Sequence, residues 1–256
     1  MSKTALVLSA GGMFGAYQAG VWSVLADCFE PDLIVGASIG AVNGWIIGGG
    51  APPAELIGRW LTLDAAARYR FQAPRALHGG VLDSRALQAM IDEVFAAYHP
   101  RVEYALVTTE IARLRPRIFQ GPEITADLLK ATTAIPFLFD QVRVGGTLHS
   151  DGGVLTPLPI WAAIELGADR IIAVNALAML PGLIPKIFVR VVRSMARFRP
   201  LETAGIDLIR IEPQGVLGNG RDALCWSRAK AAEWIELGRR DALQQKHSIQ
   251  NCFERK

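Results

Sequence analysis

At 256 residues the chain is longer than most single domains, yet α/β domains of this size commonly share one core, and one domain over residues 1–256 is the expectation. Hydrophobic residues make up 51% and charged residues 20%, with 25 Gly and 14 Pro in no repeating pattern, which excludes a disordered or a fibrous chain. The net charge of +3 is too small for a general nucleic-acid binder, and five basic residues without an acidic one between Lys186 and Arg199 make any attraction to anions local.

Taken in chain order, the apolar run Ala5–Ser9 follows Met1-Ser2-Lys3-Thr4 and is too short for a signal peptide, so it reads as a buried first strand. A helix at Gly15–Ala26, a strand at Leu33–Ala37 and a helix at Ile39–Gly48 come next. Leu61–Gly80 is the least regular stretch and reads as a surface excursion before a helix at Ser84–Ala97. Strands at Tyr104–Thr109 and Arg115–Phe119 are close enough for a hairpin. A helix at Ala126–Ala134, a short extended run at Gln141–Val144 and a helix at Pro159–Leu166 lead to strands at Ile171–Asn175 and near Leu208–Glu212, and a last helix spans Ala223–Gln245. Strands alternating with helices predict an α/β sandwich, its sheet mixed but mostly parallel and covered on both faces. The most apolar windows, Leu33–Ile47 and Ile171–Leu183, are broken by Gly, Asn or Pro and fall short of the ~20 residues of a membrane span. Cys28, Cys225 and Cys252 are far apart and form no Cys-x-x-Cys, which points away from a disulfide framework or a zinc site and toward a reducing, cytoplasmic setting.

Three segments bear chemistry. Gly36-Ala37-Ser38-Ile39-Gly40 stands between a strand and an apolar helix, the context of a nucleophile elbow, where Gly36 and Gly40 leave room for a sharp turn that projects Ser38. A tight turn without chemistry is the plainer alternative. Ser9-Ala10-Gly11-Gly12-Met13-Phe14-Gly15 opens the first helix. Its glycines let backbone amides face an anion, either as an oxyanion hole or as a near match to a dinucleotide fingerprint. The fingerprint expects an acidic residue closing the second strand, which instead ends in Gly36-Ala37-Ser38 and favours the oxyanion hole. Ser150-Asp151-Gly152-Gly153 by itself reads as a turn, but an Asp151 beside Ser38 could take the hydroxyl proton directly.

These segments resemble, in order, the patatin-like lipid acyl hydrolases. The resemblance runs through Ser9–Gly20, Gly36–Gly44, Ala131-Thr132-Thr133-Ala134-Ile135-Pro136, and Asp151–Gly153 continuing by Pro157-Leu158-Pro159 to Leu166–Arg170, with a weaker echo at Ile211-Glu212-Pro213. It covers most of residues 5–175 and implies a three-layer patatin-like sandwich and a Ser38–Asp151 dyad. The amides of Gly11, Gly12 and Met13 then form the oxyanion hole, and no metal or cofactor is needed. The implied activity is hydrolysis of lipid carboxylic esters, of phospholipase A, lysophospholipase or esterase type. A nucleotide- or acyl-binding module without turnover and an acyltransferase are the alternatives. Two positions depart from the family pattern: Ala10 stands at the first glycine of the loop and Phe14 at a usually basic position. The missing cation leads to the expectation that esters without phosphate are cleaved at least as well as diacyl phospholipids, and that Phe14→Arg shifts the ratio.

His78, His99, His149 and His247 matter because a triad would need one. The order Ser38, Asp151, His247 would suit a triad, and His149 would share a strand face with Asp151, but surface or partly buried histidines are the plainer reading. Lys186, Arg190, Arg193 and Arg197 are spaced four, three and four apart and align on one side of a helix. Such a helix either rests peripherally on an anionic membrane or packs on the protein with its arginines in water. The partners expected are a lipid or other acyl ester and, through this stripe, a membrane surface, with no nucleic acid. The oligomeric state stays open.

Overall fold

The computed structural model describes residues 2–63, 71–74, 78–179 and 205–253. Its strands are β1 (Thr4–Leu8), β2 (Leu33–Ala37), β3 (Glu103–Glu110), β4 (Arg115–Gln120), β5 (Val142–Val144), β6 (Thr147–Asp151), β7 (Arg170–Val174) and β8 (Asp207–Ile211). The helices are α1 (Gly15–Leu25), α2 (Ile39–Gly48), α3 (Pro53–Thr62), α4 (Arg85–Ala97), α5 (Ala126–Thr133), α6 (Ile160–Glu165), α7 (Gly220–Leu224) and α8 (Arg228–Phe253).

The sheet runs β5-β6-β3-β2-β1-β7-β8, with β4 also paired to β3. The central ladders β3/β2, β2/β1, β1/β7 and β7/β8 are parallel, and those to β4, β5 and β6 are antiparallel. Continuous apolar runs such as Leu33-Ile34-Val35 belong in such a sheet because both faces are covered. Alternation divides the core accordingly. Leu6, Leu8, Ile34, Leu106, Ile172 and Val174 pack with α1, α2, α4, α5 and α8, while Ala5, Val7, Val35, Val107, Ile171 and Ala173 pack on α6. The result is the three-layer sandwich with a mostly parallel mixed sheet that the sequence leads one to expect, including the β3–β4 hairpin.

One register decides where Ser38 and Asp151 sit. Val107 of β3 faces Ala37 of β2 on one edge and Ile118 of β4 on the other, and the next residue, Thr108, faces Asp151 of β6 and Arg117 of β4. The edge of β3 therefore passes from β2 to β6 between two adjacent residues. The end of β2 and the end of β6 are brought nose to nose.

Three elements differ from the sequence reading. α3 was not expected, although Pro53 at its start and Leu56 and Trp60 on its buried side are a helix signature. Its end overlaps the stretch read as irregular, whose residues 64–70 and 75–77 lie outside the described ones. The single helix expected at Ala223–Gln245 is two. Asn219 caps α7, accepting from the Arg221 and Asp222 amides, Cys225 is extended, and the Trp226 indole donates to the Trp60 carbonyl at 2.9 Å before α8 begins. Residues 180–200, with Lys186, Arg190, Arg193 and Arg197, lie outside the described residues. Among the described residues no helix is long and apolar enough to cross a membrane.

The turn between β2 and α2 requires its glycines. A Cβ at Gly36 would fall 2.4 Å from the Ala41 Cα, and one at Gly40 would fall 2.4 Å from the Ser9 carbonyl oxygen and 2.5 Å from that of Leu8. Backbone cannot yield cheaply at such distances, so Gly40→Ala is expected to cost about 2 kcal/mol or more in urea unfolding. A loss within about 0.5 kcal/mol would show that the turn yields easily to a methyl group.

Candidate active site

Ser38 occupies the turn between β2 and α2 with φ 54 and ψ −129, a region that residues other than glycine seldom enter and that stores strain. Its amide donates to Thr132 Oγ1 at 2.9 Å, and that hydroxyl donates to the Val107 carbonyl at 2.6 Å. One threonine of α5 thus ties the turn to β3. Ser38 Oγ donates to Asp151 Oδ2 at 2.6 Å, across the gap closed by the β2-to-β6 handover.

Asp151 is held on every side. Its other oxygen accepts from the Gly153 amide at 2.6 Å, its own amide donates to the Ala134 carbonyl at 2.9 Å, and its carbonyl accepts from Thr109 Oγ1 at 2.9 Å. Ser38 and Asp151 are 5% and 4% exposed. Burial pushes the Asp151 carboxyl up to about 7, against the opposing pull of the Ser38 and Gly153 hydrogen bonds. A carboxyl poised there can both take and return a proton near neutral pH.

The glycine-rich segment forms a single 3-10 turn, Gly12–Phe14, between β1 and α1. Gly12 has φ 57, and a Cβ there would fall 2.2 Å from the Ala223 carbonyl oxygen. Gly11, Gly12 and Met13 stand at the head of this turn, where amides have no acceptor within the helix. The segment also abuts the Asp151 turn, since a Cβ at Gly153 would fall 2.3 Å from the Ala10 Cβ.

The histidines are placed elsewhere. His149 is buried, its Nδ1 2.9 Å from Thr108 Oγ1 and its ring edge-on to Phe119, and burial holds its pKa below the usual value. His78, His99 and His247 are exposed. None of the four hydrogen-bonds to Ser38 or Asp151.

An apolar cleft of about 400 Å³ begins at Met13 and Ile39, beside Ser38, and runs between α2, α3 and α4 past Val42, Leu56, Trp60 and Met90. Behind it lies a buried polar cluster that the sequence reading did not single out. The Gln18 amide donates to the Ser9 carbonyl at 2.7 Å, and Asn43 Nδ2 donates to Gln18 Oε1 at 2.9 Å and to the Gly15 carbonyl at 3.0 Å. The Trp60 indole donates to Asn43 Oδ1 at 3.2 Å. These bonds join the glycine-rich loop, α1, α2 and α3. Their signal in the sequence was a lone amide within each of two apolar helices, Gln18 in α1 and Asn43 in α2. Thr132 falls in one of the segments carrying the resemblance, but its role as an anchor depends on β3 and was not legible.

Phe14 corrects the idea drawn from its place in the loop. It is 1% exposed and packs edge-on against Trp234, ring centroids 5.0 Å apart, and is not among the residues lining the cleft. A guanidinium there would be buried in the core between α1 and α8 rather than offered to a phosphate. Phe14→Arg is therefore expected to destabilise the fold by several kcal/mol, read as a lowered melting temperature, instead of changing substrate choice. A stable variant with altered headgroup preference would restore the original idea.

The fold and the site define an α/β protein in which a serine on a strained strand-to-helix turn shares a hydrogen bond with a buried aspartate. The family model for patatin-like phospholipases matches residues 6–164, and the chain belongs to that family. Curated relatives include uncharacterized NTE family proteins of Mycobacterium tuberculosis (strain ATCC 25618 / H37Rv) and Mycobacterium bovis, each 30% identical over 178 residues, covering 68% of this chain and 49% of the relative. The chain thus spans about half the length of the curated relatives it matches. Among solved structures, VipD from Legionella pneumophila aligns over 97% of this chain and 67% of its own with a TM-score of 0.53 at 12% identity, a likeness of fold.

Proposed function

We propose that the protein hydrolyses carboxylic esters of lipids with Ser38 as nucleophile and Asp151 as the base that activates it. The observation that carries this reading is the 2.6 Å hydrogen bond between two buried side chains, with no histidine bonded to either. As Ser38 Oγ attacks the acyl carbonyl, its proton passes to Asp151 Oδ2, and the carbonyl oxygen, now negative, is received by the amides of Gly11, Gly12 and Met13. Asp151 then returns the proton to the departing alcohol. Water attacks the acyl-serine, gives its own proton to Asp151, and releases the acid as Ser38 recovers its hydrogen.

The strain at Ser38 supports the reading, because a fixed turn holds Oγ in place without reorganisation. The apolar cleft at Met13 and Ile39 suits an acyl chain running away from the reacting carbon. The test is labelling with a fluorophosphonate, which reacts with an activated serine, followed by mapping of the modified peptide. Label on Ser38 that vanishes in Asp151→Asn is the expected result. Label elsewhere, or none, would leave a binding module on this fold.

A further inference from the structure

The two most exposed large apolar side chains among the described residues are Phe71 and Phe137, at 88% and 71%. They lie on adjoining segments. Phe71 forms a bridge with Leu82, the Gln72 amide donates to the Val81 carbonyl at 2.9 Å, and the amides of Val81 and Leu82 donate to the carbonyls of Phe137 and Leu138 at 3.0 and 2.9 Å. Residues 71–72, 81–82 and 137–138 are thereby laced into a small ribbon. Phe137 is held in the left-handed region, φ 66, which costs about 1–3 kcal/mol in a residue other than glycine. Most of both rings nonetheless meets water.

The ribbon lies beside the reacting groups. Ala134, whose carbonyl accepts from both the Asp151 amide and the Ser150 hydroxyl, is three residues from Phe137 and so within about 11 Å of it. Phe137 and Leu114, the latter in the β3–β4 turn, line one cleft of about 270 Å³ together with Ser150 and Val154. The same hairpin carries Arg113, Arg115 and Arg117 around a single carboxylate, Glu110. Arg113 and Arg115 both hydrogen-bond to it, and Arg117 Nη1 is 4.0 Å away. Three half-exposed guanidiniums against one buried carboxylate leave the hairpin positive. The ribbon's own acids are engaged, Asp140 by the Gly80 amide and Asp83 by Arg85.

We propose that this face, Phe71 and Phe137 bordered by Arg113, Arg115 and Arg117, docks on an anionic lipid bilayer, the rings entering the headgroup boundary and the guanidiniums meeting lipid phosphates. Exposed aromatics beside a cationic rim fit that surface in both polarity and sign. Docking here sets the end of the sheet that carries Ser38 against the membrane. The value of docking to the protein rests on the ester-hydrolase reading, but the docking itself is measurable without turnover.

The test is co-sedimentation of the full chain with vesicles of equal parts phosphatidylglycerol and phosphatidylcholine, and with phosphatidylcholine alone, at low and high salt. The wild type is expected to bind the anionic vesicles and to be released by salt. Phe71→Ser with Phe137→Asn, the asparagine chosen to tolerate the left-handed backbone, is expected to bind at least about tenfold more weakly. Arg113→Gln with Arg117→Gln, leaving Arg115 to pair Glu110, is expected to do the same. Both variants should hydrolyse a water-soluble short-chain ester within about twofold of the wild type. Undiminished vesicle binding in either double variant overturns the proposal, as does binding lost only when Lys186, Arg190, Arg193 and Arg197 are changed to Gln. A phenylalanine variant that turns a dimer into a monomer without losing vesicle binding would assign the face to a second copy of the chain. Vesicle binding by a wild type that cleaves no ester would sink the hydrolase reading and leave the docking face standing.

Discussion

Ser38→Ala is expected to lower kcat/KM for a short-chain ester by at least about 10³-fold while the protein still folds. The change removes the oxygen that would form the acyl-enzyme and adds no bulk in a site where Ser38 is 5% exposed. Its structural effect falls on Asp151, which loses the Oγ donor but keeps the Gly153 amide. A buried carboxyl deprived of a donor holds its proton more tightly, so below pH 7 the variant is expected to melt within a few degrees of the wild type. Retained turnover in protein free of wild-type contamination would end the proposed mechanism, whatever the melting curve shows.

Asp151→Asn is the second large effect, and it separates activity from stability. Activity is expected to fall by at least about 10³-fold, because an amide cannot accept the Ser38 proton, whereas His149→Ala should lose less than about tenfold, since His149 bonds to Thr108 and not to the reacting pair. The wild-type kcat/KM should climb with pH and level off above about 7, where the carboxyl has ionised, and the residual activity of Asp151→Asn should lack that rise. Stability runs the other way. The folded-state pKa lies above the unfolded one, so the folded protein keeps a proton from about 4 to about 7 that the unfolded chain releases. Stability from this group is complete below that window and is lost as pH rises through it, on the order of 4 kcal/mol by the top. Asparagine carries no such penalty, so the melting temperature of the variant relative to wild type should increase between pH 5 and pH 8. A constant difference across that range would show that Asp151 is not proton-linked to folding.

Much of this was open to reading in the chain itself, for identifiable reasons. Core strands of a parallel sheet are apolar throughout, so β1, β2 and β7 stood out. α2 is buried along its whole length and showed as an apolar helix behind a glycine-spaced serine. Gly36 and Gly40 were legible because the contacts they avoid are local to the turn or to the strand beside it. What stayed hidden depends on distant partners. No local pattern reveals that Thr132 anchors the serine amide to β3, or that Gln18 and Asn43 meet across two helices. Phe14 shows the limit most plainly: its place in the loop was readable, but the direction of its ring depends on Trp234, far along the chain in α8. The break at Cys225 likewise follows from Trp226 reaching Trp60, a contact that helical periodicity cannot foresee.

The handover along the edge of β3 also separates two evolutionary freedoms. Ser38 and Asp151 are 113 positions apart, yet their meeting is dictated by β2, β3 and β6. α3 and α4, which wall the cleft, are both inserted between β2 and β3 and supply neither residue of the pair. The apolar side chains that α3 and α4 turn into the cleft, Leu56 and Met90 among them, can therefore change and reshape the chamber while Ser38 and Asp151 keep their spacing. On the proposed ester-hydrolase reading, exchanging those side chains is expected to shift the preferred acyl length while fluorophosphonate still labels Ser38, so the chamber's shape and the reacting pair would answer to separate substitutions.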